Sequence, residues 1–142
     1  MKCSIEAKKQ EAVINTNITV ENLDHLGLVA GIIDELGIVE QINDILGMSS
    51  REKVSAGLIV KAMILNGLGF VTAPLYIFSK FFEGKAVEHL LGEGVKAEYL
   101  TDDRLGDVLD DLYEEGVSEI FTEICLTGVK KYGKQSGENG NK

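Results

Sequence analysis

The sequence predicts an all-α fold, a compact orthogonal bundle of about six or seven helices, and three observations carry that prediction. Pro74 is the only proline in 142 residues, so long stretches are open to helix. Apolar residues recur at helical spacing in segment after segment, most of them ended by glycine. The run Val54–Phe82 (VSAGLIVKAMILNGLGFVTAPLYIFSKFF) holds four of the five phenylalanines. Its apolar positions 54, 58, 59, 62, 63 and 65 spread around a helix, as expected of a central helix buried on most sides. Lys61, Asn66 and the glycines interrupt the run too often for a membrane span.

The elements follow in order. Residues 1–17 are polar with scattered apolar positions and read as a flexible segment. Ile18–Val20 suggests a short extended piece. Asn22 or Asp24 offers an N-cap for a first helix ending at Gly37, with Leu26, Val29, Ile32, Ile33 and Leu36 facing inward. Ile38–Leu46 reads as a second helix closed by Gly47. The spacing of Gly27 and Gly31 would permit close approach of another helix. Two starts compete for the central helix: a capping box from Ser49 to Glu52, or Ser55 with a Val54–Ile59 staple, and Ser55 is preferred. Asn66, Gly67 and Gly69 close it.

Thr72-Ala73-Pro74 should open the next helix, with Leu75, Phe78, Phe81 and Phe82 inside, Lys80 outside and Gly84 as the stop. Ala86–Leu91 gives a turn or two, and Gly92-Glu93-Gly94 reverses the chain. Thr101 with Asp102 and Asp103 caps an amphipathic helix carrying Leu105, Val108, Leu109 and Leu112 inward. Gly116 ends it, and Val117, Ile120, Phe121, Ile124 and Tyr132 form the expected inner stripe of a last helix paired with it as a hairpin. Residues 18–132 therefore make one helical domain, and 133–142 (GKQSGENGNK) read as a disordered tail.

Charge limits the partners. The net charge is −9, and Glu83–Glu123 alone contributes −10, with thirteen acids against Lys85, Lys96 and Arg104. Such a surface repels phosphate, so any DNA contact must come from elsewhere. Cys3 and Cys125 form no CxxC pair, and residues 1–10 have no signal-peptide pattern, so a cytoplasmic protein with reduced thiols is expected. No membrane or small-molecule substrate is implied.

Chemistry-bearing clusters are thin. The stripe Asp103, Asp107, Asp110 and Glu114 points outward along one helix and reads as a solvated face, since metal ligands must converge. His25 and His89 lack ligand spacing, and a packing or capping role is favoured for both. Cys125, between Ile124 and Leu126, reads as a small core residue. No catalytic motif, metal site or cofactor site emerges. A helix-turn-helix within residues 22–68 would place Arg51, Lys53 and Lys61 toward DNA, and these three are the candidate DNA-binding residues.

Several blocks together carry a resemblance: Asn22–Gly37 (NLDHLGLVAGIIDELG), Val54–Val71 (VSAGLIVKAMILNGLGFV), Pro74-Leu75-Tyr76, Phe81–Lys85 (FFEGK), Val87–Gly94 (VEHLLGEG), and Leu100–Gly106 (LTDDRLG) with Leu109–Tyr113 (LDDLY). In this order they resemble the N-terminal region of insertion-sequence transposases of the DDE type, across about Ile18–Tyr132. In that family the region is a helical domain of unknown function preceding a ribonuclease-H-like catalytic domain. The family's three catalytic acids have no counterparts here, where Gly133 is followed by KQSGENGNK. The resemblance therefore implies a truncated or split transposase: a non-catalytic domain assisting DNA transposition by binding element ends or by assembling the transposition complex. The alternative is an acidic protein–protein module without DNA affinity. The expected partners are transposon-end DNA, a second copy, or the transposase catalytic domain.

Overall fold

Ser55 sets the start of the central helix. Its extended backbone and side-chain oxygen, which accepts from the Leu58 N–H at 3.4 Å, satisfy one of the donors a helix start leaves unpaired. In the computed structural model, which describes residues 20–21, 23–48, 51–69, 74 and 77–133, this helix runs Ala56–Leu68 and is α3. It follows α1 (Leu26–Leu36) and α2 (Ile38–Leu46). After it come α4 (Phe78–Phe81), α5 (Val87–Leu91), a 3-10 turn at Ala97–Tyr99, α6 (Asp102–Glu115) and α7 (Val117–Gly133). The described residues form an all-α bundle of seven helices without a strand.

α3 packs against α1, α2, α5 and α6, and the burial of Ile59, Ala62 and Leu65 follows from that enclosure. Leu58, Met63 and Ile64 pack partly against the same core. The tightest approach is between α2 and α3 at Gly57. A Cβ there would lie 2.2 Å from the Val39 carbonyl oxygen, and the Gly57 N–H donates to Asn43 Oδ1 at 2.8 Å. Only a residue without a side chain fits. The spacing of Gly27 and Gly31 does not mark such a contact, because nothing lies within 4 Å of a Cβ at Gly31 and Gly27 faces its own neighbour Leu23.

α1 buries Leu26, Ala30 and Ile33, a narrower stripe than expected, and Ile32 is exposed. Asp24 Oδ1 accepts from the Leu26 N–H at 3.1 Å, so Asp24 caps from just outside the helix. Gly37, at φ +68°, turns the chain directly into α2. The Gln41 amide then donates to the carbonyls of Leu36 and Gly37, pairing acceptors that the end of α1 leaves open. At the far end of α3, His25 Nε2 lies 2.8 Å from the Leu68 carbonyl oxygen and ties the start of α1 to it.

Of the helix expected from Thr72-Ala73-Pro74, the described α-helical part is Phe78–Phe81. Thr72, Ala73, Leu75 and Tyr76 lie outside the described residues, Pro74 is not in a helix, and its carbonyl accepts from the Ile77 N–H just before α4. Phe78, Phe81 and Phe82 nevertheless enter the core, Phe81 and Phe82 edge to face at 4.9 Å. Lys80 is exposed and Gly84 has φ +73°, in keeping with a stop. Val20 is exposed and belongs to no element, while Ile18, Thr19, residues 1–17 and 134–142 lie outside the described residues. Gly133, expected in the tail, is the last residue of α7.

Thr101 caps α6 through Oγ1, which accepts from the Arg104 N–H at 3.3 Å, and Leu105 and Val108 are fully buried. Leu112 is half-buried, and Leu109 turns out toward solvent. α7 departs most from expectation. Of its apolar residues only Ile120 is buried and Ile124 partly so, while Val117, Phe121 and Tyr132 of the expected inner stripe are exposed. The inward ridge is instead Ile120, Ile124 and Gly128, where a Leu36 methyl comes within 3.7 Å of a Cβ position.

Candidate interaction surface

The three cations expected to face DNA do not share a surface. Arg51 and Lys53 are exposed in the turn before α3. Lys61 is 2 % exposed inside the bundle, and its Nζ lies 2.5 Å from Asp34 Oδ1 of α1. Its stem fills core space, and its ammonium is held against a carboxylate, so it does not reach a phosphate. Lys61 is thereby corrected from a surface contact to an α1–α3 link.

Of the two remaining cations, Lys53 sits beside acids. Lys53 Nζ lies 4.6 Å from the Tyr99 ring centroid, a cation–π contact. Next to it Glu52 pairs with the Arg104 guanidinium, and Glu98 lines the same shallow recess. The recess is thus charge-balanced, where a phosphate cradle needs an excess of positive charge. On α6 the side chains of Asp103, Asp107, Asp110, Asp111 and Glu114 are exposed, as expected of a solvated face. Among the described residues no three His, Cys, Asp or Glu side chains gather as metal ligands. His25 caps the end of α3, whereas His89 is exposed on α5.

α7 offers a different kind of surface. Phe121, Cys125, Val129 and Tyr132 follow the i, i+4, i+8, i+11 rule, which aligns them on one side of a helix. Ser118, Thr122 and Leu126 extend that side, and none of these seven positions is charged. Phe121 is 67 % exposed, Val129 69 % and Leu126 54 %, and no described element covers them. Cys125 is exposed on the same side and not in the core, because Ile120 and Ile124 take the inward positions. Val117 and Tyr113, on either side of the Gly116 link to α6, add further exposed apolar surface.

At its C-terminal end α7 is tied to α1 by Lys131 on the inner side and by Tyr132 at the edge of the outer stripe. Lys131 Nζ donates to the Glu35 carbonyl of α1. The Tyr132 phenol is held above its ordinary value, first by its hydrogen bond to the Glu35 carboxylate, then by desolvation and the Glu35 charge. These ties set which side of α7 faces out.

The family described as Domain of unknown function (DUF4277) matches residues 18–126. This chain belongs to that family. No curated protein and no solved structure matches it.

The DUF4277 match takes in the buried side of the bundle, from α1 to Ile120 and Ile124, and the exposed Phe121. Among the described residues no helix is long and apolar enough to cross a membrane. The outer side of α7 was missed in the sequence because its two apolar ridges, 120/124 and 121/125, are one residue apart and equally helical in period. The missing charges at 118, 121, 122, 125, 126 and 129 were the available signal.

Proposed function

We propose that this DUF4277 chain is a non-catalytic helical domain of an insertion-sequence transposase, serving DNA transposition through protein–protein contact in complex assembly. The observation that carries the contact mode is the uncharged, exposed outer side of α7, which a solvated helix has no reason to keep. The transposase assignment is supported by the ordered sequence blocks from Asn22 to Tyr113. Catalysis is assigned to another chain or domain, since strand transfer needs carboxylates converging on metal ions. The test is retention of a purified full-length transposase carrying a DUF4277 domain by the immobilised chain. We expect retention, and loss of it with Phe121→Asp; a chain that retains no transposase at any salt would overturn the reading. The chain with Mg²⁺ or Mn²⁺ should also leave element-end DNA uncut.

A second reading, binding of transposon-end DNA, is favoured by the exposure of Arg51 and Lys53 in one turn. With only two such cations the slope of log K against log salt should be about −2. A gel shift at about 50 mM salt that is abolished by Arg51→Ala with Lys53→Ala would establish it, and absence of any shift would remove it.

A further inference from the structure

The outer side of α7 carries its own complement in charge. On the flank of the uncharged stripe, Glu119 and Glu123 occupy the N-terminal half and Lys130 the C-terminal half. By helical spacing all three lie along one edge of that stripe. Laid parallel on a second α7, this charged edge would face the opposite, uncharged edge of the partner helix and the charges would stay unpaired. Laid antiparallel about Cys125, residue 121 meets 129 of the other copy, and Glu119 and Glu123 meet Lys130, twice by symmetry. Lys131 is already engaged by the Glu35 carbonyl on the inner side, so Lys130 is the lysine placed for this role.

We propose that a second copy of this chain is the occupant of the α7 face, forming a two-fold antiparallel helix pair with Phe121, Leu126 and Val129 in the seam and Cys125 beside the axis. This deepens and rests on the reading of the domain as an assembly module, and it names the partner. α7 has 17 residues and spans about 25 Å. A single helix pair of that length falls at the small end of specific interfaces, so the dimer is reversible, dissociating on the order of 10–100 µM. Burying Phe121 and Val129 against their counterparts supplies the attraction, and the Glu–Lys pairs select the antiparallel orientation.

The experiment is sedimentation equilibrium of the full chain from about 5 to 300 µM at low salt, with circular dichroism melting of every variant as a folding control. Dimerisation is expected for the unaltered chain. Phe121→Glu should raise the dissociation constant more than about thirtyfold without lowering the melting midpoint, since Phe121 is 67 % exposed in the single chain. Lys130→Glu should raise it about tenfold, and adding Glu119→Lys and Glu123→Lys to that variant should restore it to within about threefold. In a Cys3→Ser chain, diamide as two-electron oxidant should join two Cys125 thiolates into a disulfide dimer. Phe121→Glu should lower that yield. A monomer at 300 µM, a Lys130→Glu chain that dimerises unchanged, or crosslinking indifferent to Phe121→Glu would each overturn the proposal. A monomeric chain that still retains full-length transposase removes this pairing and leaves the assembly reading standing. A dimer that retains no transposase does the reverse.

Discussion

α3 and α7 are both rich in apolar residues and lie in the same small bundle, yet their surroundings differ sharply. α3, with 13 residues, buries seven of them, including Lys61 and Asn66. α7, with 17, buries only Ile120. Apolar content therefore does not decide burial here; enclosure does. α3 has neighbours on several sides, so even a lysine is drawn inside and held by Asp34. α7 touches the bundle along one ridge, and its second apolar ridge remains at the surface. A helix that is hydrophobic all round makes a core, whereas one packed on a single side leaves a surface for something else to cover.

Substitutions at the α2–α3 contact should break the comparison most visibly. Gly57→Ala places a methyl against the Val39 carbonyl at 2.2 Å, and relieving it separates two helices. A loss of about 2–4 kcal/mol is expected, and Leu65→Ala should lose about 2–5 kcal/mol by opening a cavity. Either is a large part of a small domain's stability. Urea unfolding of both variants checks this, and an unchanged midpoint would remove α3 from the centre of the fold.

A smaller effect separates the two partners of the buried pair. Asp34→Ala leaves the Lys61 ammonium without its carboxylate in a site 3 % exposed. Because the Asp34 side chain is itself 57 % exposed and water can follow, the loss should be about 1–2 kcal/mol, below that of a fully enclosed pair. Lys61→Met keeps the packing stem and removes the charge, and should change stability by less than about 1 kcal/mol. Equal losses in both variants would mean that the charge pair itself, and not the packing of the stem, is what matters at that position.

On α7, Phe121→Asp should shift the unfolding free energy of the isolated chain by no more than about 0.5 kcal/mol at low protein concentration. A loss comparable with Leu65→Ala would place Phe121 inside and erase the contrast between the helices. The smallest effect is electrostatic. Tyr132 is held above its ordinary value of 10.0 by Glu35, so folding favours the neutral phenol. In the window between the ordinary and the raised value the unfolded chain holds fewer protons, and the contribution of this contact falls as pH rises through it. Nuclear magnetic resonance of the Tyr132 ring should show deprotonation above 10.0, and Glu35→Gln should lower the midpoint.

What was legible in the sequence was what is decided locally. The bounds of α2, the Ser55 cap, the Thr101 cap and the stops at Gly37 and Gly116 depend on neighbouring residues only, and each is present as expected. The candidate DNA site was read from charge order along the chain. Lys61, the sixth residue of a helix expected to be buried on most sides, already carried the sign that it would not reach solvent. Which of two adjacent ridges of α7 faces inward depends on Glu35, Leu36 and the α6 link, and that is information of the assembled fold.

The contact of Glu35 with the end of α7 has a further consequence, for the order in which the molecule opens. α7 is attached by Gly116 at one end, by Glu35 at the other, and between them chiefly by Ile120 and Ile124. Few buried groups resist its detachment, so its amides should exchange with solvent through local opening, while those of α3 wait for unfolding of the whole. A partner laid on the outer side of α7 would then be felt as slowed exchange in this one helix. With such a partner, α7 would report its own occupancy separately from the stability of the core.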